Sequence, residues 1–89
     1  MKIMAVCGSG LGSSFMMEMN IKKALNKIGV EADVSHTDLA SVTPNDADLF
    51  VMAKDIAASS NVPADKIIVI KNMVGLAEFE EKLTAYFNR

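Results

Sequence analysis

Three glycines fall within five residues, Gly8, Gly10 and Gly12, between an apolar run and an amphipathic stretch. That density rules out regular structure and marks a tight loop. Ahead of it, Lys2-Ile3-Met4-Ala5-Val6-Cys7 is short and mostly apolar, the pattern of a strand buried on both faces. Behind it, Ser13 and Ser14 are good N-cap types. From there Met17, Ile21, Ala24, Leu25 and Ile28 fall at offsets of 4, 7, 8 and 11, one stripe of a helix that Gly29 stops. Strand, glycine loop and helix in that order are the start of a crossover to a second, parallel strand.

The rest of the chain alternates in the same way. Val30, Ala32 and Val34 interleave with Glu31, Asp33 and Ser35, predicting a half-exposed strand at a sheet edge. Thr43-Pro44-Asn45-Asp46 is turn chemistry. Asp48–Ala53 predicts a third strand, apolar on both faces, and Asp55–Ser60 a short helix. Lys66–Ile70 is β-branched at four of five positions and predicts a fourth strand. Leu76, Phe79, Leu83 and Phe87 stripe a last helix, with Glu78 and Lys82 paired outside. The expectation is one α/β domain over residues 1–89, a Rossmann-like four-stranded parallel sheet in the order 2-1-3-4 flanked by helices. This order puts the apolar first and third strands in the centre. It also creates a topological switch point beside the first strand, where ligands bind beyond the carboxyl ends.

Composition narrows the chemistry. Nine basic against eleven acidic side chains give a net charge of −2, no footprint for nucleic acid. With no Trp and one Tyr, an aromatic platform for single strands is not expected. One cysteine and one histidine make neither a disulfide nor a conventional zinc site. The apolar runs are far too short to cross a bilayer, and residues 1–7 read as a strand rather than a leader, so a cytoplasmic protein is expected.

The loop Cys7-Gly8-Ser9-Gly10-Leu11-Gly12-Ser13-Ser14 then carries the chemistry. A glycine turn feeding a helix N-terminus gathers backbone N–H groups at one point, where the helix dipole adds positive charge. Such a nest holds a phosphate-like anion, with Ser9, Ser13 and Ser14 as additional donors. Cys7 opens the loop, so the same field favours its thiolate and is expected to lower its pKa. A nucleophile and an oxyanion cradle on one loop suit phosphoryl transfer through a cysteinyl-phosphate. A buried, inert cysteine is the competing reading. The spacing is neither the dinucleotide fingerprint nor a Walker loop. Cysteine phosphatases carry C-x5-R in such a loop, but counting from Cys7 that position is Ser13, and the one arginine is Arg89. Without a guanidinium the loop holds a phosphate with no means of hastening its hydrolysis.

On KIMAVCGSGLGSS, DLFVMA and KIIVIKNMVGLAEFEEKL, the chain resembles, over essentially its full length, the stand-alone IIB component of the bacterial phosphoenolpyruvate-dependent sugar phosphotransferase system, within its ascorbate/galactitol-like group. The resemblance implies a phosphocysteine at the position of Cys7 and a phosphate loop over Gly8, Ser9, Gly10, Leu11, Gly12, Ser13 and Ser14. It implies a phosphohistidine donor on a IIA component and a sugar acceptor bound by a membrane IIC component. No metal or organic cofactor is implied, and no insertion of this chain into the membrane.

Other side chains carry two readings each. His36 is expected to end the second strand, as a Cys7–His36 pair or as an edge residue. Lys54 after the third strand and Lys71 after the fourth are either phosphate-steering charges or solvated lysines, with Asp55 a helix cap and Asn72 as ambiguous as Lys71. Met16 and Met19 lie off the helical stripe near the loop, suiting a surface that docks two partners in turn. Met4, Met17 and Met52 read as core.

Overall fold

The computed structural model describes residues 1–8, 13–71 and 75–88, with the backbone alone at 13 and 14. β1 (Lys2–Cys7) is followed by α1 (Ser13–Ile28), β2 (Asp33–Asp38), β3 (Leu49–Ala53), α2 (Lys54–Ser59), β4 (Ile67–Ile70) and α3 (Leu76–Phe87). The four strands are parallel in the order β2-β1-β3-β4, as the alternation predicts.

Strand alternation sorts the core into two layers. Ile3 and Ala5 of β1, Leu49 and Val51 of β3, and Ile68 and Ile70 of β4 face one side. There they meet Met17, Ile21, Ala24 and Leu25 of α1 and Phe79 and Leu83 of α3, the two predicted helical stripes. Met4 and Val6 of β1 and Phe50 and Met52 of β3 face the other side, against Val42, Ala47, Val62 and part of α2. Both faces of the central strands are covered, so their side chains are apolar at consecutive positions. Met4, Met17 and Met52 are all buried, as read.

The end of α1 follows from Gly29, whose φ of +77° is left-handed. The Val30 N–H reaches back to the Leu25 carbonyl at 3.0 Å, the six-to-one bond of a glycine-terminated helix. The second strand differs from its prediction. It runs from Asp33 to Asp38, three residues further along than the apolar alternation suggests. Val30 and Ala32 precede it and pack against the α1 side of the core without joining the ladder. Pairing starts where Asp33 N–H donates to the Met1 carbonyl at 2.9 Å and continues through the polar run Ser35-His36-Thr37-Asp38. An edge strand tolerates those residues because one side of its ladder faces water.

Candidate active site

Cys7 is the last residue of β1 and is held there by its neighbours. Val6 pairs with Met52 of β3 and Cys7 with Asp38 of β2. The Leu39 N–H donates to the Cys7 carbonyl at 2.8 Å. All four strands point the same way, so Cys7, Asp38, Ala53 and Ile70 end at one edge of the sheet. β1 crosses over to β2 on one flank and the chain returns to β3 on the other, which makes this edge the switch point.

Cys7 is 4% exposed and belongs to neither apolar cluster. It shares the parity of Ile3 and Ala5, which puts it on the α1 side of the sheet. Gly8 is exposed and packs its backbone against α2: a Cβ there would lie 2.9 Å from Ile56 Cδ1. What favours glycine here is this close approach and not its φ, which is not positive. Ser13 opens α1, and no acidic residue occupies the helix's first turn, so the helix itself sets no carboxylate against its N-terminal field. Of the expected phosphate loop, Ser9, Gly10, Leu11 and Gly12 lie outside the described residues, as do the side chains of Ser13 and Ser14.

The flanking residues fall partly as expected. Lys54 begins α2 directly after β3, and Lys71 follows β4; both are exposed and lie at the edge that carries Cys7. The Lys71 N–H donates to Glu78 Oε2 at 2.8 Å. Asp55 is not the α2 cap. Ala53 is the N-cap and makes no side-chain bond, while Asp55 sits in the first turn. Asn72 lies outside the described residues. Phe15, Met16 and Met19 are 53%, 47% and 42% exposed, an apolar patch on the first two turns of α1. A cavity of about 320 Å3 lies elsewhere, between Leu25 and Asn26 of α1 and the segment Val30–Val34.

His36 departs from its prediction. It does not end its strand but lies two residues before the end, opposite Ala5. Its Nδ1–H donates to Glu18 Oε1 at 2.5 Å, since an ionised carboxylate can only accept. Its ring meets Phe15 edge to face, centroids 6.0 Å apart. Glu18 Oε2 pairs with Lys22 Nζ at 2.8 Å. Burial opposes the ionisation of Glu18, but the hydrogen bonds and charges of His36 and Lys22 outweigh it and hold the carboxyl below its usual value. In the sequence Glu18 stands four residues before Lys22, the spacing of an ordinary i, i+4 surface pair. Its offset of seven from buried Leu25 is the signal that it borders the apolar stripe.

Residues 2–85 match the family described as the lactose/cellobiose-specific IIB subunit of the phosphotransferase system. The chain belongs to this IIB family. The ascorbate-specific EIIB components of Salmonella choleraesuis and Escherichia coli O157:H7 are each 31% identical to it over 85 residues, covering 92% of this chain and 84% of theirs. Among solved structures, a lactose-specific IIB domain from Streptococcus pneumoniae superposes with a TM-score of 0.61 at 15% identity, covering 99% of this chain and 95% of that one. A low-molecular-weight phosphotyrosine phosphatase from Vibrio cholerae superposes at 0.59 with 10% identity, covering 99% and 97%. At these identities the superpositions establish the fold, which IIB domains share with that phosphatase class. The protein is accordingly a phosphotransferase, the IIB component of a sugar phosphotransferase system. Among the described residues no helix is long and apolar enough to cross a membrane.

Proposed function

We propose that Cys7 is the phosphoryl acceptor of this IIB component. The thiolate attacks the phosphorus of a phosphohistidine on a IIA component: an S–P bond forms, the N–P bond breaks, and the imidazole leaves with a proton from solvent. A hydroxyl of a sugar or sugar acid bound by a membrane IIC component then attacks the same phosphorus. The O–P bond forms, sulfur departs as thiolate, and the hydroxyl proton passes to water. The observation that supports this most directly is the position of Cys7 at the carboxyl end of β1, at the switch point, with five residues between it and the uncompensated N-terminus of α1. Gly8, Ser9, Gly10, Leu11, Gly12, Ser13 and Ser14 would cradle the phosphoryl oxygens. The exposed patch of Phe15, Met16 and Met19 supplies apolar surface beside that point for a docking partner. The ascorbate-specific relatives favour an ascorbate-like acceptor; a galactitol-like acceptor and a cytoplasmic site of action are part of the same reading.

Hydrolysis is the reading that the phosphatase neighbour raises. Ser13 in place of the C-x5-R arginine argues against it. The test is incubation with phosphoenolpyruvate, enzyme I, HPr and a cognate IIA, followed by intact mass. One phosphoryl adduct, absent in Cys7→Ser, is the expected result. No adduct overturns the proposal; phosphate binding without an adduct points to a sensor of the same fold, and hydrolysis of p-nitrophenyl phosphate to a phosphatase.

A further inference from the structure

Among the described residues Glu18 is the one charged side chain that is buried. An apolar residue at that place would avoid the desolvation of a carboxylate. Instead its two oxygens are divided between Lys22 of its own helix and His36 of β2. The His36 contact is a polar cross-link from the second turn of α1 to the sheet, reinforced by the Phe15–His36 ring contact from the first turn. His36 pairs with Ala5 and Cys7 with Asp38, so His36 is one diagonal step from Cys7 on the same face. Such a step is about 7–8 Å between Cα atoms.

We propose that His36, clamped by Glu18, is the positioning residue of the Cys7 site. It ties the first two turns of α1 to β2 and, when protonated, adds a positive charge on the α1 side of the sheet beside Cys7. The role in transfer rests on Cys7 being the phosphoryl acceptor. Among the described residues His36 meets Glu18 and Phe15 of α1, Glu18 also holds Lys22, and by register Cys7 of β1 and Asp38 of its own strand lie on the same face of the sheet. Imidazole is the side chain whose charge ordinarily changes between pH 5 and 8. By linkage, a proton on His36 and negative charge on the Cys7 sulfur favour each other.

Two substitutions separate tether from charge. His36→Gln keeps an N–H donor for Glu18 and cannot titrate, whereas His36→Val removes both. The probe is alkylation of Cys7 by iodoacetamide from pH 5 to 9, with the imidazole followed by proton NMR, unambiguous because the chain has one histidine. In the native protein the rate profile is expected to show two ionisations, one coinciding with the imidazole titration. His36→Gln should lose that one and match the native rate at high pH. His36→Val should lose it too and also depart from the native rate at high pH, with circular dichroism confirming the fold. If alkylation is too slow to follow, the Cys7 Cβ chemical shift reports the same ionisations. A single ionisation in the native protein, or a native profile in His36→Val, overturns the proposal. No phosphoryl donor enters these measurements. A missing mass adduct beside a two-ionisation profile therefore removes the phosphocysteine reading alone, and an adduct beside a single ionisation removes the role of His36 alone.

Discussion

The steric demand at Gly8 can be isolated by a pair of substitutions. Gly8→Ala introduces a Cβ 2.9 Å from Ile56 Cδ1, against an optimum of about 3.5–4.0 Å between carbons. Gly8 does not have a positive φ, so alanine adds no left-handed strain, and its effect on the unfolded chain is the same in both backgrounds, so the pair isolates the contact. The atom it meets is the tip of a half-buried side chain, which turns aside more easily than backbone. The cost of the contact therefore belongs at the low end of overpacking, about 1 kcal/mol, of which the stiffer unfolded chain returns about 0.4–1 kcal/mol, so the coupling rather than the single variant's Tm carries the prediction. Ile56→Val deletes Cδ1 itself and should cost about 0.5 kcal/mol by itself, the lower end for Ile to Val because the site is half-buried. In the double variant the clash is gone. Urea unfolding followed by circular dichroism should then place it at or slightly above Ile56→Val alone, a coupling of about 1 kcal/mol. Costs that add to within about 0.3–0.5 kcal/mol would refute the reasoning, and Gly8 would have to be explained by the loop it opens instead of by α2.

Three further outcomes follow from the same coordinates. The Glu18 carboxyl is held below its unfolded value, so the unfolded chain binds more protons and stability rises with pH. The Glu18 contribution is complete above the unfolded value of 4.5 and is lost as pH falls through the folded one. Urea midpoints should accordingly drop less on acidification in Glu18→Gln than in the native chain, and parallel acid profiles would contradict this. Gly29→Ala meets no neighbouring atom but must adopt a φ of +77°, so it should cost about 1–2 kcal/mol in thermal or urea unfolding, and Gly29→Asn less. Phe79→Ala empties a fully buried position between α3 and the sheet and should cost about 3–5 kcal/mol; a loss below 1 kcal/mol measured by urea unfolding would mean the site collapses around the void.

What the residues announce locally is what folds as announced. β1, the start of α1 and both helical stripes are dense in signals of matching period, and the strand order follows from which strands are apolar on both faces. β2 was displaced because its apolar alternation, Val30 to Val34, belongs mostly to the segment that packs under α1 after Gly29. Its ladder is made instead by residues with weak strand preference, held by pairing to β1 across thirty-one positions of sequence. Sequence separation likewise hid the His36–Glu18 contact: the two side chains are eighteen positions apart and each looks ordinary in its own surroundings. Asp55 falls two residues inside the cap because α2 starts straight from β3, so the last strand residue, Ala53, takes the N-cap position. Cys7, by contrast, was legible from its place between an apolar run and three glycines, because the strand's end is fixed by the residue type that follows it.

Cys7 is fastened through β2 on one flank, through the β3 pairing of its predecessor on the other, and by the Leu39 bond to its own carbonyl. Any rearrangement that accompanies turnover must therefore begin beyond it, at Gly8. The backbone of Cys7 is thus a fixed point at the end of the sheet, and whatever approaches its side chain must fit itself to a place the strands have already set.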